Sequence, residues 1–325
     1  MIIDWQHHFA TESLFKKFGG KHGQAMIKDG KVGLHVLEEM YKIDMHVDFM
    51  DAAGIDMALL SGTLETVQEC KENDDLFHEM MKEYPDRFVG FAPCIPTRGQ
   101  EALDELVRAI HELGLKGVVI SPQNDSHGLD SKEMWPFYRK VSHLSIPIFV
   151  HITNIPVGYD AMDAAYSMNV TLTREFDIAA NTVRLILGGV LAEFPDLRIV
   201  MPHFGGGISS ILERVERYVE TWGEGFWTEL GGTPPFDKPY KENFRKYFDR
   251  LYFDMAGLEG GMNGVQCALT TISPKRLLFA TDYPFNFTKN SEGAKQYINN
   301  IKNLPLPQEE IEGILGGTAA KLLGL

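Results

Sequence analysis

Four short stretches of the chain end in side chains that bind metals or move protons. They are Trp5-Gln6-His7-His8, Phe149-Val150-His151, Met201-Pro202-His203 and Ala280-Thr281-Asp282. Neutral imidazole and carboxylate together suit one divalent cation, zinc or manganese, with a water or substrate oxygen completing the coordination. Gln6 and His8 share a face by strand alternation, and His7 between them points the other way. A single histidine ending a strand is more often a satisfied polar residue than a ligand, and Asp282 alone could begin a turn. Four such ends in order along one rim argue for a site. The other histidines, His22, His35, His46, His78, His111, His127 and His143, fall mostly on helices or on the segment after the first strand. Surface or packing roles are the expectation for most of them.

Groups so distant in sequence meet only if a sheet brings their strand ends together. Short apolar, β-branched runs predict strands at Ile2–Gln6, Asp56–Ser61, Phe88–Cys94, Leu115–Ser121, Ile146–Ile152, Leu197–His203, Arg250–Met255 and Arg276–Asp282. Most are continuous rather than alternating, as in strands buried on both faces. Helical patterns lie between them, among others at Asn73–Glu83, Gly99–Leu113, Ser131–His143 and Phe176–Phe194. Strands alternating with helices predict an α/β fold, a (β/α)8 TIM barrel, whose catalytic groups sit at the C-terminal strand ends. A doubly wound open sheet is the rival, but no GxGxxG follows the first strand. Residues 12–40 read as a small insertion after strand 1, where Asp29-Gly30 between short runs suggests a hairpin. Residues 222–248 read as a long loop. With no repeat or linker, residues 1–325 are expected to form a single domain.

Composition narrows the class. The 325 residues are 44% hydrophobic and 23% charged, enough to bury a large core. The formal charge of −14 and the pI near 5.2 argue against nucleic acid or an anionic membrane as partner. Cys70, Cys94 and Cys267 form no CxxC, no signal peptide is read at Met1-Ile2-Ile3-Asp4-Trp5, and no apolar stretch reaches a membrane span. A cytoplasmic protein is expected.

Six stretches carry a resemblance over nearly the whole chain. They are Met50-Asp51-Ala52-Ala53-Gly54-Ile55-Asp56, Leu113-Gly114-Leu115-Lys116-Gly117-Val118, Ile146-Pro147-Ile148-Phe149-Val150-His151, Gly188-Gly189-Val190-Leu191-Ala192-Glu193-Phe194-Pro195, Met201-Pro202-His203-Phe204-Gly205-Gly206 and Phe279-Ala280-Thr281-Asp282-Tyr283-Pro284. In this order they resemble the amidohydrolase superfamily, in the branch of aminocarboxymuconate-semialdehyde decarboxylase and related aromatic-acid decarboxylases. The resemblance implies His8, His151 and Asp282 as metal ligands and His203 as the acid–base residue. It implies Arg214 as a carboxylate partner, a reading that a helix opening after Gly205-Gly206-Gly207 allows. A homodimer is implied as well.

Two departures stand out. Asp4-x-Gln6-x-His8 puts a glutamine where the family has its first ligand, so metal affinity should be lower than in its siblings. His46 takes the place of a second carboxylate-binding arginine and is read either as a binder of a small anion or phenol, or as a helix-face residue. Lys116 lies early in its strand, which favours one metal over two.

The resulting expectation is a metal-dependent non-oxidative decarboxylase of a small aromatic or unsaturated carboxylic acid. His203 and Asp282 would be catalytic and Arg214 and His46 would bind substrate. A lactonase-type hydrolase or a hydratase of the same superfamily is the rival, and a barrel that has lost its metal and only binds ligands is the minor alternative. Trp222, Phe226 and Trp227 are candidate pocket walls.

Overall fold

Continuous apolar runs become strands buried on both faces: Phe88–Pro93 is buried at all six positions and Gly117–Ile120 at all four. The computed structural model describes all residues except 13–24, 29–30, 63, 152–155, 163–165, 230–231 and 257–260. Its barrel strands are β1 Ile3–His8, β2 Met57–Ser61, β3 Phe88–Pro93, β4 Gly117–Ile120, β5 Ile148–Val150, β6 Ile199–Met201, β7 Tyr252–Asp254 and β8 Leu277–Leu278. They pair in parallel and in sequence order from β1 to β8. The first and last edges are joined by backbone hydrogen bonds from Trp5 N to Phe279 O, from Asp282 N to Gln6 O and from His8 N to Tyr283 O. The fold is the (β/α)8 barrel that the strand–helix alternation implies.

All eight strands appear where the sequence places them, each trimmed at one or both ends or shifted by up to two residues. Inside the barrel, Ile3 and Trp5 meet Leu59, Phe91, Val119, Phe149, Val200 and Leu278. Trp5 lies edge-on to Phe91 and Phe149, with ring centroids 5.4 and 6.2 Å away. Leu322 and Leu323 of the last helix belong to the same cluster, so one end of the barrel is packed solid and the chemistry is left to the other.

Around the strands lie α1 Ile43–Ala53, α2 Val67–Glu83, α3 Gln100–His111, α4 Trp135–Leu144, α5 Arg174–Leu187, α6 Leu212–Trp222, α7 Met262–Ala268 and α8 Ser291–Lys302. Their starts follow local chemistry. At α2, Thr66 accepts from Glu69 N while the Glu69 side chain takes Thr66 N, a capping box. The insertion after β1 contains the expected hairpin: Ala25–Lys28 pairs antiparallel with Lys31–His35, Ile27 opposite Val32 and Lys28 opposite Lys31. Asp29-Gly30 lies outside the described residues.

Two expectations need correction. The helix read at Phe176–Phe194 starts earlier and breaks at Gly188-Gly189, where Gly189 takes φ 78° and a short turn of helix follows. The stretch 222–248 is not all loop: Gly225–Thr228 and Tyr240–Phe248 are helical. Tyr240, Phe244 and Phe248 recur at four-residue spacing and are buried together, a helical signal among aromatics that first read as loop. Among the described residues, no helix is long and apolar enough to cross a membrane.

Candidate active site

The site begins with an irregularity in β1. Asp4 lies opposite Ala58 and His7 opposite Leu60, so β1 advances one residue more than β2 between these points. That bulge breaks simple alternation. Asp4 leaves the face it would share with Gln6 and His8, and joins His7, whose Nδ1 lies 2.9 Å from Asp4 Oδ2. Gln6 and His8 are left facing the rim.

There the strand ends converge. His8 Nε2 donates to Asp282 Oδ1 at 2.9 Å and lies 3.3 Å from His151 Nε2. Gln6 Nε2 donates to the same Asp282 oxygen at 2.8 Å and stands 3.4 Å from His8 Nε2 and 3.3 Å from His203 Nε2. Five residues from the ends of β1, β5, β6 and β8 thus share one small volume. Burial opposes the charge on Asp282, but the His8 hydrogen bond and the fields of His8, His203 and Arg174 outweigh it and hold this carboxyl below its usual range. His151 is driven well below 6.5 by burial and by neighbouring positive charge, so its ring is neutral.

His203 is presented by an unusual backbone. From His203 to Gly207 every residue has φ between 50° and 71°, a short left-handed turn. Such a conformation costs about 1–2 kcal/mol per non-glycine residue, which the three glycines avoid. Gly206 is required for a second reason: a Cβ there would lie 2.1 Å from Glu175 O on α5. This close approach sets Glu175 Oε1 2.8 Å from His203 Nδ1. Asp254, at the end of β7, accepts from His203 N at 2.8 Å and from Ala256 N at 3.1 Å. Burial disfavours an imidazolium here, yet Glu175, Asp282 and Asp254 together push His203 up to about 9. It is a cation at neutral pH. Asp282 is also left-handed, with φ 61°.

The expected site residues divide into two groups. Gln6, His8, His151, His203 and Asp282 are brought together. Arg214 is not: it lies exposed on α6, its guanidinium over the Tyr218 ring at 4.9 Å. Helical phase explains this, because Leu212, Glu216 and Val219 take the buried face and turn Arg214 to solvent. His46 is fully buried on α1 but faces away from the cluster. Its Nδ1 lies 2.8 Å from His7 Nε2 and its Nε2 meets Glu39 O, so neither ring nitrogen is left for a substrate. Trp227 is buried against Phe236 and Tyr240 and donates Nε1–H to Leu187 O at 2.8 Å; Trp222 is exposed on α6. Neither faces the cluster. Residues not singled out in the sequence are Glu175, Asp254 and Arg174, the last adding positive field at both Asp282 and His151. An adjacent Arg-Glu pair on the first turn of a helix after strand 5 was the available signal.

Among the described residues, no three His, Cys, Asp or Glu side chains stand apart as a ready cation cage. They close on one another through hydrogen bonds instead. The donor set nonetheless fits a divalent ion. A tetrahedral cation about 2.0–2.1 Å from two nitrogens holds them about 3.3 Å apart, and His8 and His151 already have that separation. His8 Nδ1 has Ser61 O at 3.4 Å and Ser61 Oγ at 3.3 Å, so either ring tautomer finds a partner. Gln6 Oε1 and His151 Nδ1 are buried without a hydrogen-bond partner.

The sequence pattern of the amidohydrolase family matches residues 3–325. Gamma-resorcylate decarboxylase of Polaromonas sp. is 26% identical over 319 residues, 92% of this chain and 91% of that protein. The structure of 5-carboxyvanillate decarboxylase from Sphingomonas paucimobilis matches with a TM-score of 0.81 at 21% identity, covering 100% of this chain and 99% of that one. Dihydroxybenzoic acid decarboxylase from Polaromonas sp., with bound manganese and 2-nitroresorcinol, gives 0.79 at 23% identity, covering 100% and 97%. These relatives are decarboxylases of aromatic acids.

Proposed function

The chain belongs to the amidohydrolase family, and from that premise we propose that it is a metal-dependent, non-oxidative decarboxylase of a hydroxylated aromatic acid. The observation that carries this reading is the convergence of His8, His151 and Asp282 with a charged His203 at the same rim. Those three residues would hold a zinc or manganese ion, which when bound supplies Lewis-acid polarisation of a substrate oxygen. Glu175 holds the His203 Nδ1 proton, so Nε2 is the atom that delivers a proton into the cluster. Protonation of the ring carbon that bears the carboxylate lets the C–CO2 bond break. Its electron pair returns to the ring and CO2 leaves, so the proton gained balances the group lost. Arg174, whose positive field acts on both Asp282 and His151, takes the carboxylate-binding role first read for Arg214.

The test is CO2 release from 2,6-dihydroxybenzoate and from 5-carboxyvanillate by manganese-loaded protein. His203→Asn should lower kcat by about 10²–10⁴-fold, the range positioned acid–base groups supply. Arg174→Gln should raise KM, while Arg214→Ala leaves both constants unchanged. Absence of CO2 release from any hydroxybenzoic acid by protein with metal bound would overturn the assignment.

A further inference from the structure

Gln6 occupies a position that none of its neighbours shares. It is fully buried, and its amide nitrogen stands at the hub of the cluster, 2.8 Å from Asp282 Oδ1, 3.3 Å from His203 Nε2 and 3.4 Å from His8 Nε2. A carboxylate only accepts, so the nitrogen and not the oxygen faces Asp282. The amide oxygen, also buried, meets no donor. The positive end of the amide dipole therefore lies among the groups that would ligate a cation, and the one neutral oxygen ligand that β1 can offer is turned away. Rotating the terminal amide by half a turn exchanges the two atoms. That rotation trades a charge-assisted N–H···O⁻ bond to Asp282 for an oxygen directed at the hub, and leaves one buried amide atom without a partner in either state. Without a cation the first state is preferred: the bond to Asp282 at 2.8 Å is shorter than the 3.3 Å approach to the charged His203 Nε2, and an oxygen in the nitrogen's place would face the Asp282 carboxylate. With a cation the preference inverts.

We propose that Gln6 is a built-in gate of the metal site, its amide nitrogen holding Asp282 when the site is empty and its oxygen turning in to ligate the ion when it fills. This rests on the metal-dependent reading above and adds to it a specific consequence: binding is weakened by the hydrogen bond that must first be given up. A charged residue at the same place gives up no such bond and adds an anionic ligand.

Binding is measured directly, by titrating zinc or manganese into metal-free protein and following it by calorimetry or equilibrium dialysis. Gln6→Glu should bind at least tenfold more tightly than wild type. Gln6→Leu, which can neither compete nor ligate, should bind more weakly than wild type. The gate itself is read in the unsubstituted protein by the side-chain amide signals of ¹⁵N-glutamine-labelled samples. The Gln6 signal, identified by its loss in Gln6→Glu, should shift at one equivalent of zinc. Equal affinity of wild type and Gln6→Glu with an unmoved amide signal would overturn the gate and leave the metal-dependent reading intact. Tighter binding by Gln6→Leu would make the amide a plain competitor and overturn the gate as well. If neither wild type nor Gln6→Glu binds either ion, both the gate and the metal-dependent reading fail.

Discussion

Glu175 governs how long His203 stays protonated as pH rises. Burial pulls the imidazole down, while the Glu175 charge and hydrogen bond are the largest effects lifting it to about 9. Because the folded value lies above 6.5, the charge also contributes stability that is complete below pH 6.5 and lost as pH rises through 9. Glu175→Gln removes the charge and keeps the shape. The alkaline limb of the rate profile should then move toward 6.5, which a pH–kcat/KM series would detect; an unmoved limb would mean that another group sets it. Sequence alone anticipated that His8, His151, His203 and Asp282 converge, because each ends a strand. It missed Glu175, which stands 28 residues before His203 and is brought to it only by the packing of α5 against the left-handed turn. It did not show Arg214 on the exposed side of α6, because spacing from His203 does not reveal which face turns inward, nor His46 paired with His7.

At the scale of elements, the turn after β6 and the interior of the α2–α3 pair make separate predictions. Gly206→Ala must place a Cβ 2.1 Å from a backbone oxygen while keeping φ at 68°. The two penalties together should cost about 3 kcal/mol or more. Gly207→Ala has the same kind of φ but no atom within 4 Å, so only the conformational cost of about 1–2 kcal/mol applies. Urea denaturation of the two variants separates close packing from backbone strain; equal losses would contradict this account. Between α2 and α3, Asp74 is buried beside Glu105, whose carboxylate Arg108 grips at 2.8–3.1 Å. Burial, then the Glu105 contact and charge, pushes Asp74 up to about 10. Folding therefore takes up a proton at neutral pH, and stability falls as pH rises from 3.8 through about 10. Asp74→Asn imitates the protonated form, so it should raise stability at pH 8, by about 1–3 kcal/mol, and flatten that decline.

For the whole molecule, the alternation of apolar runs and helices was enough to read a barrel, because strands buried on both faces have a composition that surface strands lack. The two short runs flanking Asp29-Gly30 pair as antiparallel strands, as the sequence reading expected. The Tyr240–Phe248 helix was not legible, since its aromatics and the nearby Gly-Gly-Thr-Pro-Pro gave conflicting local signals. The barrel fixes which strand ends meet, but the reaction depends on where one proton goes, and that gives the most direct test of the assignment. Manganese-loaded protein would be incubated with a carboxyl-labelled ortho-hydroxybenzoic acid in D2O, and labelled CO2 and product deuterium followed together. One CO2 per product, with one deuterium on the carbon that lost the carboxylate and a rate that collapses in His203→Asn, is the result this account predicts. Product that retains its carboxylate, or turnover unaffected by loss of His203, would contradict it.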